Sequence, residues 1–393
     1  MKVLLGCSNR PDAGAGIAVY VRELAGEFIR QGIEVHLASP PPQQEKWLNE
    51  MQIRHIPCHE TTDPLKGAGH LVKYVDQHKI DGIINSDNSL LQSVAPGVTC
   101  PFISVGHFGS TIIASLACHQ WQWCDYVVAI SSDMQKRFVQ RYRVPVTRCP
   151  VIHNGIKDRG HDGQYHRKDP ATIRVVYAGG QNPFKGADIV LRTVLKKAEL
   201  WKGMRLDWFG VSQSRYVPRL SGLAHVQARG HVPHEELLAC LRNADVLLFP
   251  SRAEGCPMAL LEAMSMGVVC IASDGEGAMR WLIENGRSGF ICNLRTWDSQ
   301  VMECLAYLRD TPVVLENMKR SARTRFLKEY DVALTVANFL TLLRQPTVNR
   351  AKLPERIDIL KWHRPPRPSL PERIRFKFGW LQSAGTLQSR AIP

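Results

Sequence analysis

Two carboxylates, Glu254 and Glu262, stand eight residues apart in SRAEGCPMALLEAMSMG (251–267), directly after the apolar run ADVLLFP (244–250). The Ala, Leu, Met and Glu content of residues 258–266 predicts a helix that Gly267 stops. Pro257 fits the first helical position, where a missing N–H costs nothing. On one continuous helix the two acids would lie about 80° apart around the axis. With Glu254 in the preceding loop and Glu262 in the second turn, both can face one crevice. Between them, Gly255, Cys256 and the amides of Met258 and Ala259 make a helix N-terminus, which favours a phosphate. The same residues also fit an ordinary strand-turn-helix with one solvated and one capping Glu.

Other residues could serve the same chemistry. Lys185 follows the Gly179-Gly180 pair and precedes Gly186, and a compact ammonium at a helix start can reach a diphosphate. The run is not a Walker loop, because no Gly-Lys-Ser/Thr closes it. His107 ends the apolar run PFISVGH; a lone His is more often structural, yet this one sits where a strand would deliver it to a rim. Gly14 and Gly16 lie in the loop SNRPDAGAG after the run KVLLGC.

The elements that must hold these residues alternate strand and helix. KVLLGC reads as a strand and Gly16–Arg30 as a helix, with Ile17, Val21, Leu24, Phe28 and Ile29 at helical spacing. IEVHLAS, DGIINS, PFISVGH and YVVAIS continue the strands of a parallel sheet, whose ligands bind at the strands' carboxyl ends. A nicotinamide cofactor is not expected: Val19 stands where a third Gly belongs, and no acid ends the second strand. A polar segment, residues 157–171, reads as a linker after a first domain of 1–156. A second α/β domain over 172–328 opens with TIRVVYAGG and runs through RLDWFGVS, HVQARGHVP, the helix HEELLACLRNA and VVCIAS. Val332, Val336, Phe339, Leu340 and Leu343 have helical spacing within residues 329–345, and a basic, Pro-rich tail occupies 346–393.

The region of Glu254 and Glu262 resembles the E-x7-E donor-site motif of the retaining glycosyltransferases of family 4. The resemblance extends over about residues 1–345. It implies the GT-B fold: two Rossmann-like α/β domains facing across a cleft, with a C-terminal helix crossing back to the first. It further implies that Glu254 contacts the transferred sugar, that Glu262 holds the ribose, and that His107 contacts the sugar. The loop of Gly14 and Gly16 would lie under the phosphates, and Lys185 would grip the diphosphate. Pro257 replaces the usual Gly of the motif, so one backbone donor is missing. Gly180 replaces a usual Arg, and Arg252 is the candidate to supply that clamp. Glu276 and Gly277 fall on the rim with no assigned role.

The expected function is therefore retaining transfer of a sugar from a nucleotide diphosphate to a glycan, lipid-linked or small-molecule acceptor in cell-surface polysaccharide or glycolipid synthesis. No cofactor and no catalytic metal is expected, with a UDP-sugar the first candidate donor; no D-x-D pair is present. The alternatives are a GT-B epimerase or hydrolase and a non-catalytic nucleotide-sugar-binding protein. The fold alone does not choose among them.

The 393 residues bound the reading: they suffice for about two to three domains. No apolar run reaches the roughly 18 residues of a membrane span, and MKVLLGC reads as a strand rather than a signal peptide. The 11 cysteines form no C-x-x-C, which suits a reducing cytoplasm. His55 and His59 around Cys58 read as a loop, not a metal site. Of the net charge of +14, residues 344–393 contribute +8, from 11 Lys/Arg against 3 Asp/Glu. In that arm RIRFKFGWL alternates basic and apolar residues, fitting a docked strand, a solvated arm or an anionic membrane surface on the inner face of the cell membrane. No nucleic-acid motif accompanies the basic residues.

Overall fold

The computed structural model describes residues 1–14, 16–58, 63–107, 111–160, 172–196, 198–211, 216–255, 257–345 and 347–348. Cys256, His59, most of the expected linker and all but two residues of the basic tail lie outside the described residues.

The first half builds one parallel sheet from β1 (Lys2–Cys7), β2 (Glu34–Ser39), β3 (Arg54–Pro57), β4 (Gly82–Ser86), β5 (Phe102–Gly106) and β6 (Tyr126–Ala129), in the order β3-β2-β1-β4-β5-β6. β1, β4 and β5 are buried almost throughout, as expected of strands covered on both faces, and the polar Asn85, Ser86 and Ser104 are buried with them. The helix Gly16–Arg30 turns Val21, Leu24 and Phe28 into the core.

The second half repeats the topology. Its main strands are β7 (Ile173–Tyr177), β8 (Met204–Trp208), β9 (Val226–Ala228), β10 (Val246–Phe249), β12 (Val269–Ser273) and β14 (Gly289–Cys292), in the order β14-β12-β10-β7-β8-β9. In each half the first strand is central, and the chain reverses direction across the sheet between that strand and the fourth. Such a switch point opens a crevice at the carboxyl ends of the strands. Two short strands, β11 (Ala253–Glu254) and β13 (Glu276–Gly277), pair with each other outside the main sheet.

The helix Val332–Leu343 crosses back onto the first half, as the GT-B resemblance implies. Its Thr335 Oγ1 donates to the carbonyl of His153 at 3.0 Å. Leu343 packs so closely over Gly82 that a Cβ there would lie 2.6 Å from a Leu343 methyl. Val332, Val336, Phe339, Leu340 and Leu343 are all buried. Just before it, the helix Pro312–Glu329 packs on the second half, and its Arg323 forks onto Asp158 of the connecting segment.

Candidate functional site

A cavity of about 590 Å³ opens between the two halves, at the carboxyl ends of both sheets. The first half contributes Gly14, Gly16 and Ile17 of the opening loop and helix, together with His107 and Asn154. The second contributes Tyr177, Gly179, Lys185, Glu254, Gly255, Met258 and Ala259.

Glu254 is placed by the β11–β13 pair. Glu254 faces Gly277 in register, and the N–H of Ala278 donates to the Glu254 carbonyl at 3.0 Å. Gly277 has φ +104°, and a Cβ there would lie 2.0 Å from the Glu254 carbonyl oxygen, so only glycine lets these strands meet. The side chain is buried, and its Oε1 accepts from Ser251 Oγ at 2.6 Å and from Lys185 Nζ at 2.5 Å.

Lys185 ends the short turn Pro183–Lys185, which Asn182 opens by accepting from the Phe184 N–H at 2.9 Å. Tyr177 Oη donates to the Lys185 carbonyl at 3.1 Å, and Gly186 at φ +83° sits against Pro250 too closely for any side chain. The ammonium is thus carried on a braced backbone, and the lysine side chain as a whole stays partly exposed.

The helix Met258–Ser265 starts where the composition predicts, but Pro257 is not its first helical residue. Pro257 is its cap, with φ −79° and ψ 93°, and its carbonyl accepts from Leu260 and Leu261. Met258 and Ala259 are therefore the first helical residues on the cavity wall, and N–H groups at this position have no intrahelical acceptor. Gly267 follows the helix with φ +71°.

Across the cavity, His107 is 5% exposed and burial pushes its titration down to about 3. Its Nδ1 lies 3.3 Å from Asn154 Nδ2.

Two expected site residues are not on the cavity wall. Arg252 grips Asp188 through two nitrogens, at 3.0 and 2.8 Å, and also donates to the Pro183 carbonyl. A carboxylate in the first turn of the next helix thus occupies the guanidinium fork that the expected clamp would use. Glu262 is buried behind the helix start and pairs with His234 at 3.0 Å, a contact that raises the His234 pKa. Asn154, Asn182, Ser251 and Gly277 carry site geometry that motif reading leaves unassigned. Of these, Asn154 carries a sequence signal, the turn-like pair Asn154-Gly155 that closes the run PVIHNG (150–155). Among the described residues, no group of three or more His, Cys, Asp or Glu side chains is arranged to hold a metal ion.

The family model for Glycosyltransferase Family 4 matches residues 14–159, and that for Glycosyl transferases group 1 matches residues 172–310. The two matches fall in succession on the two halves that face across the cavity. The chain belongs to the family 4 glycosyltransferases. Among curated relatives of this family 4 chain, a Mycobacterium tuberculosis glycogen synthase is 24% identical over 216 residues, covering 53% of the chain and 51% of the synthase. An Escherichia coli UDP-Gal:alpha-D-GlcNAc-diphosphoundecaprenol alpha-1,3-galactosyltransferase is 31% identical over 110 residues, 28% of either chain. The matched part thus spans about half the length of the first relative and less of the second. The crystal structure of Anabaena Alr3699/HepE in complex with UDP and glucose superposes with a TM-score of 0.68 at 17% identity, covering 87% of this chain and 99% of that one. At that identity the superposition establishes the fold.

Proposed function

We propose that the protein is a retaining glycosyltransferase that binds a nucleotide-diphosphate sugar in the cavity between its halves. The observation that carries this reading is the meeting of Lys185, Glu254 and the Met258 helix start on one wall, opposite His107 on the other. The diphosphate draws Lys185 Nζ from Glu254 and also rests on the amides of Met258 and Ala259. Glu254, released from its lysine, accepts hydrogen bonds from the sugar; the ribose role that the resemblance implies for Glu262 requires that carboxylate to leave His234 and turn into the cavity.

In the reaction the bond from the anomeric carbon to the diphosphate oxygen breaks and a bond to the acceptor oxygen forms on the same face. The acceptor proton passes to the departing diphosphate. The cation and helix amides stabilise the charge that develops there. On this reading neither a cofactor nor a metal is needed. A UDP-sugar is the favoured donor, supported by the UDP-bound fold neighbour and the UDP-Gal relative. A glycan or lipid-linked acceptor is favoured by the name of the same relative. A cytoplasmic setting, peripheral at the membrane, suits the ten free cysteines among the described residues and the absence there of any helix long and apolar enough to cross a bilayer.

A thermal-unfolding panel of UDP, GDP and ADP tests the reading. One nucleotide is expected to raise the Tm, since a ligand at about 100 times its Kd adds about 2.7 kcal/mol to the folded state. Lys185→Ala should remove that shift while folding normally. An undiminished shift in Lys185→Ala refutes the phosphate role, and nucleotide release independent of acceptor favours a hydrolase.

A further inference from the structure

Cys292 is the last residue of β14, the edge strand of the second sheet, and Cys304 lies on the helix Trp297–Asp310 that follows. That helix packs on β14 and β12 through Trp297, Val301, Leu305 and Leu308, and Cys304 sits beside them, partly buried. Strand and helix bring two thiols together from positions twelve residues apart. The Cys292 S–H donates to the Cys304 sulfur, and this contact is the largest influence on both groups. It favours the thiolate of Cys304 and disfavours that of Cys292. Burial and the neighbouring Glu303 oppose the Cys304 thiolate without outweighing the contact.

Access separates this pair from the other cysteines. Ten free cysteines are described, and eight of them are buried; Cys240 and Cys304 are the two that solvent reaches. Burial pushes the Cys240 thiol up to about 11, and the charged groups acting on it are Asp207, Arg229, Arg174 and Glu236, with no thiol beside it. Among the described residues, Cys304 therefore combines solvent access, a favoured thiolate and a second thiol in contact, the three things that thiol–disulfide exchange asks of an attacking cysteine.

We infer that Cys292 and Cys304 are a reversible disulfide site, at which Cys304 meets a small-molecule disulfide and Cys292 resolves the product. The Cys304 thiolate attacks one sulfur of the small disulfide, forming a mixed disulfide and expelling one thiolate. Cys292 gives its proton to that thiolate and attacks the Cys304 sulfur, expelling the second small thiolate, which takes its proton from water. Two protein thiols are oxidised to one disulfide, and one small disulfide is reduced to two thiols.

Neither cysteine lines the cavity. The link instead staples β14, whose strand partner is β12, to the helix that covers it. Cys292 is also the anchor of the turn behind Glu254: its carbonyl accepts from the Asp274 N–H at 2.8 Å, and the chain from Asp274 runs directly into β13, the partner strand of Glu254. None of this chemistry requires the nucleotide-sugar reading of the cavity.

The full-length protein is incubated with oxidised glutathione under native conditions, remaining thiols are blocked with iodoacetamide, and tryptic peptides are weighed by mass spectrometry. Trypsin cuts after Arg295, between the two cysteines, so the disulfide holds peptides 288–295 and 296–309 together until a reductant is added. This linked pair is expected to be the principal intramolecular disulfide, with Cys240 in none. Its absence, or Cys304 joined to a different cysteine, overturns the inference. Cys292→Ala should stop at a Cys304–glutathione mixed disulfide, and Cys304→Ser should leave Cys292 free of glutathione. Glutathione on Cys292 in Cys304→Ser refutes the order of attack, and the wild-type peptide map stands whether or not either variant folds. The oxidised wild type should also unfold at a higher temperature than the same sample after reduction, with no such shift in Cys304→Ser. Equal midpoints for the oxidised and reduced wild type refute the staple.

Discussion

His107 is uncharged in the folded protein because the pocket that holds it excludes water, and this links its protonation to stability. Its folded pKa of about 3 lies below the ordinary value of 6.5. Below pH 6.5 the unfolded chain takes up a proton that the native chain refuses, so stability is complete above that pH and falls as the pH drops toward 3. Between pH 7 and pH 5 the loss from this one group is about 2 kcal/mol. Urea midpoints of wild type and His107→Gln at the two pH values check this: the variant should lose less on acidification, and equal losses refute it. His234 works in the opposite sense. Its hydrogen bond with Glu262 raises its pKa, so its contribution is present below pH 6.5 and is lost as the pH rises through the folded value.

At the scale of elements, the β11–β13 pair matters more than its length suggests, since these two short strands set the backbone of Glu254 at the cavity. Gly277 is the point where the pairing is tightest. Gly277→Ala combines a disfavoured φ with a clash against a carbonyl, and should cost clearly more than the about 1 kcal/mol of strain alone. Gly222→Ala is the control, with φ +85° and nothing within 4 Å of the added Cβ. A larger drop in Tm for Gly277→Ala, together with a loss of the nucleotide-induced shift, is the expected result. Equal drops for the two variants would show that the strands yield.

Across the whole molecule, the two halves are tied by a helix that follows the second in sequence and packs on the first. Phe339 in Val332–Leu343 is fully buried, whereas Leu334 on the same helix is 40% exposed. Phe339→Ala should cost about 3–5 kcal/mol by leaving a cavity, and Leu334→Ala far less. Chemical denaturation compares them; a Phe339→Ala midpoint equal to wild type would mean that the helix does not brace the first half.

The sequence by itself determined the alternation of strands and helices, because apolar runs, helical periodicity and glycine stops act over a few residues. It also singled out Glu254, Lys185 and His107, whose neighbours along the chain suffice to place them at strand ends and helix starts. Tertiary structure alone decided what these residues and their companions touch. Arg252, expected as a phosphate clamp, meets Asp188, 64 residues away. Glu262 meets His234, and His107 meets Asn154, through approaches between elements that no local pattern encodes. The reason is physical: secondary structure answers to near neighbours, while the partner of a buried charge or amide is set by how whole sheets and helices pack.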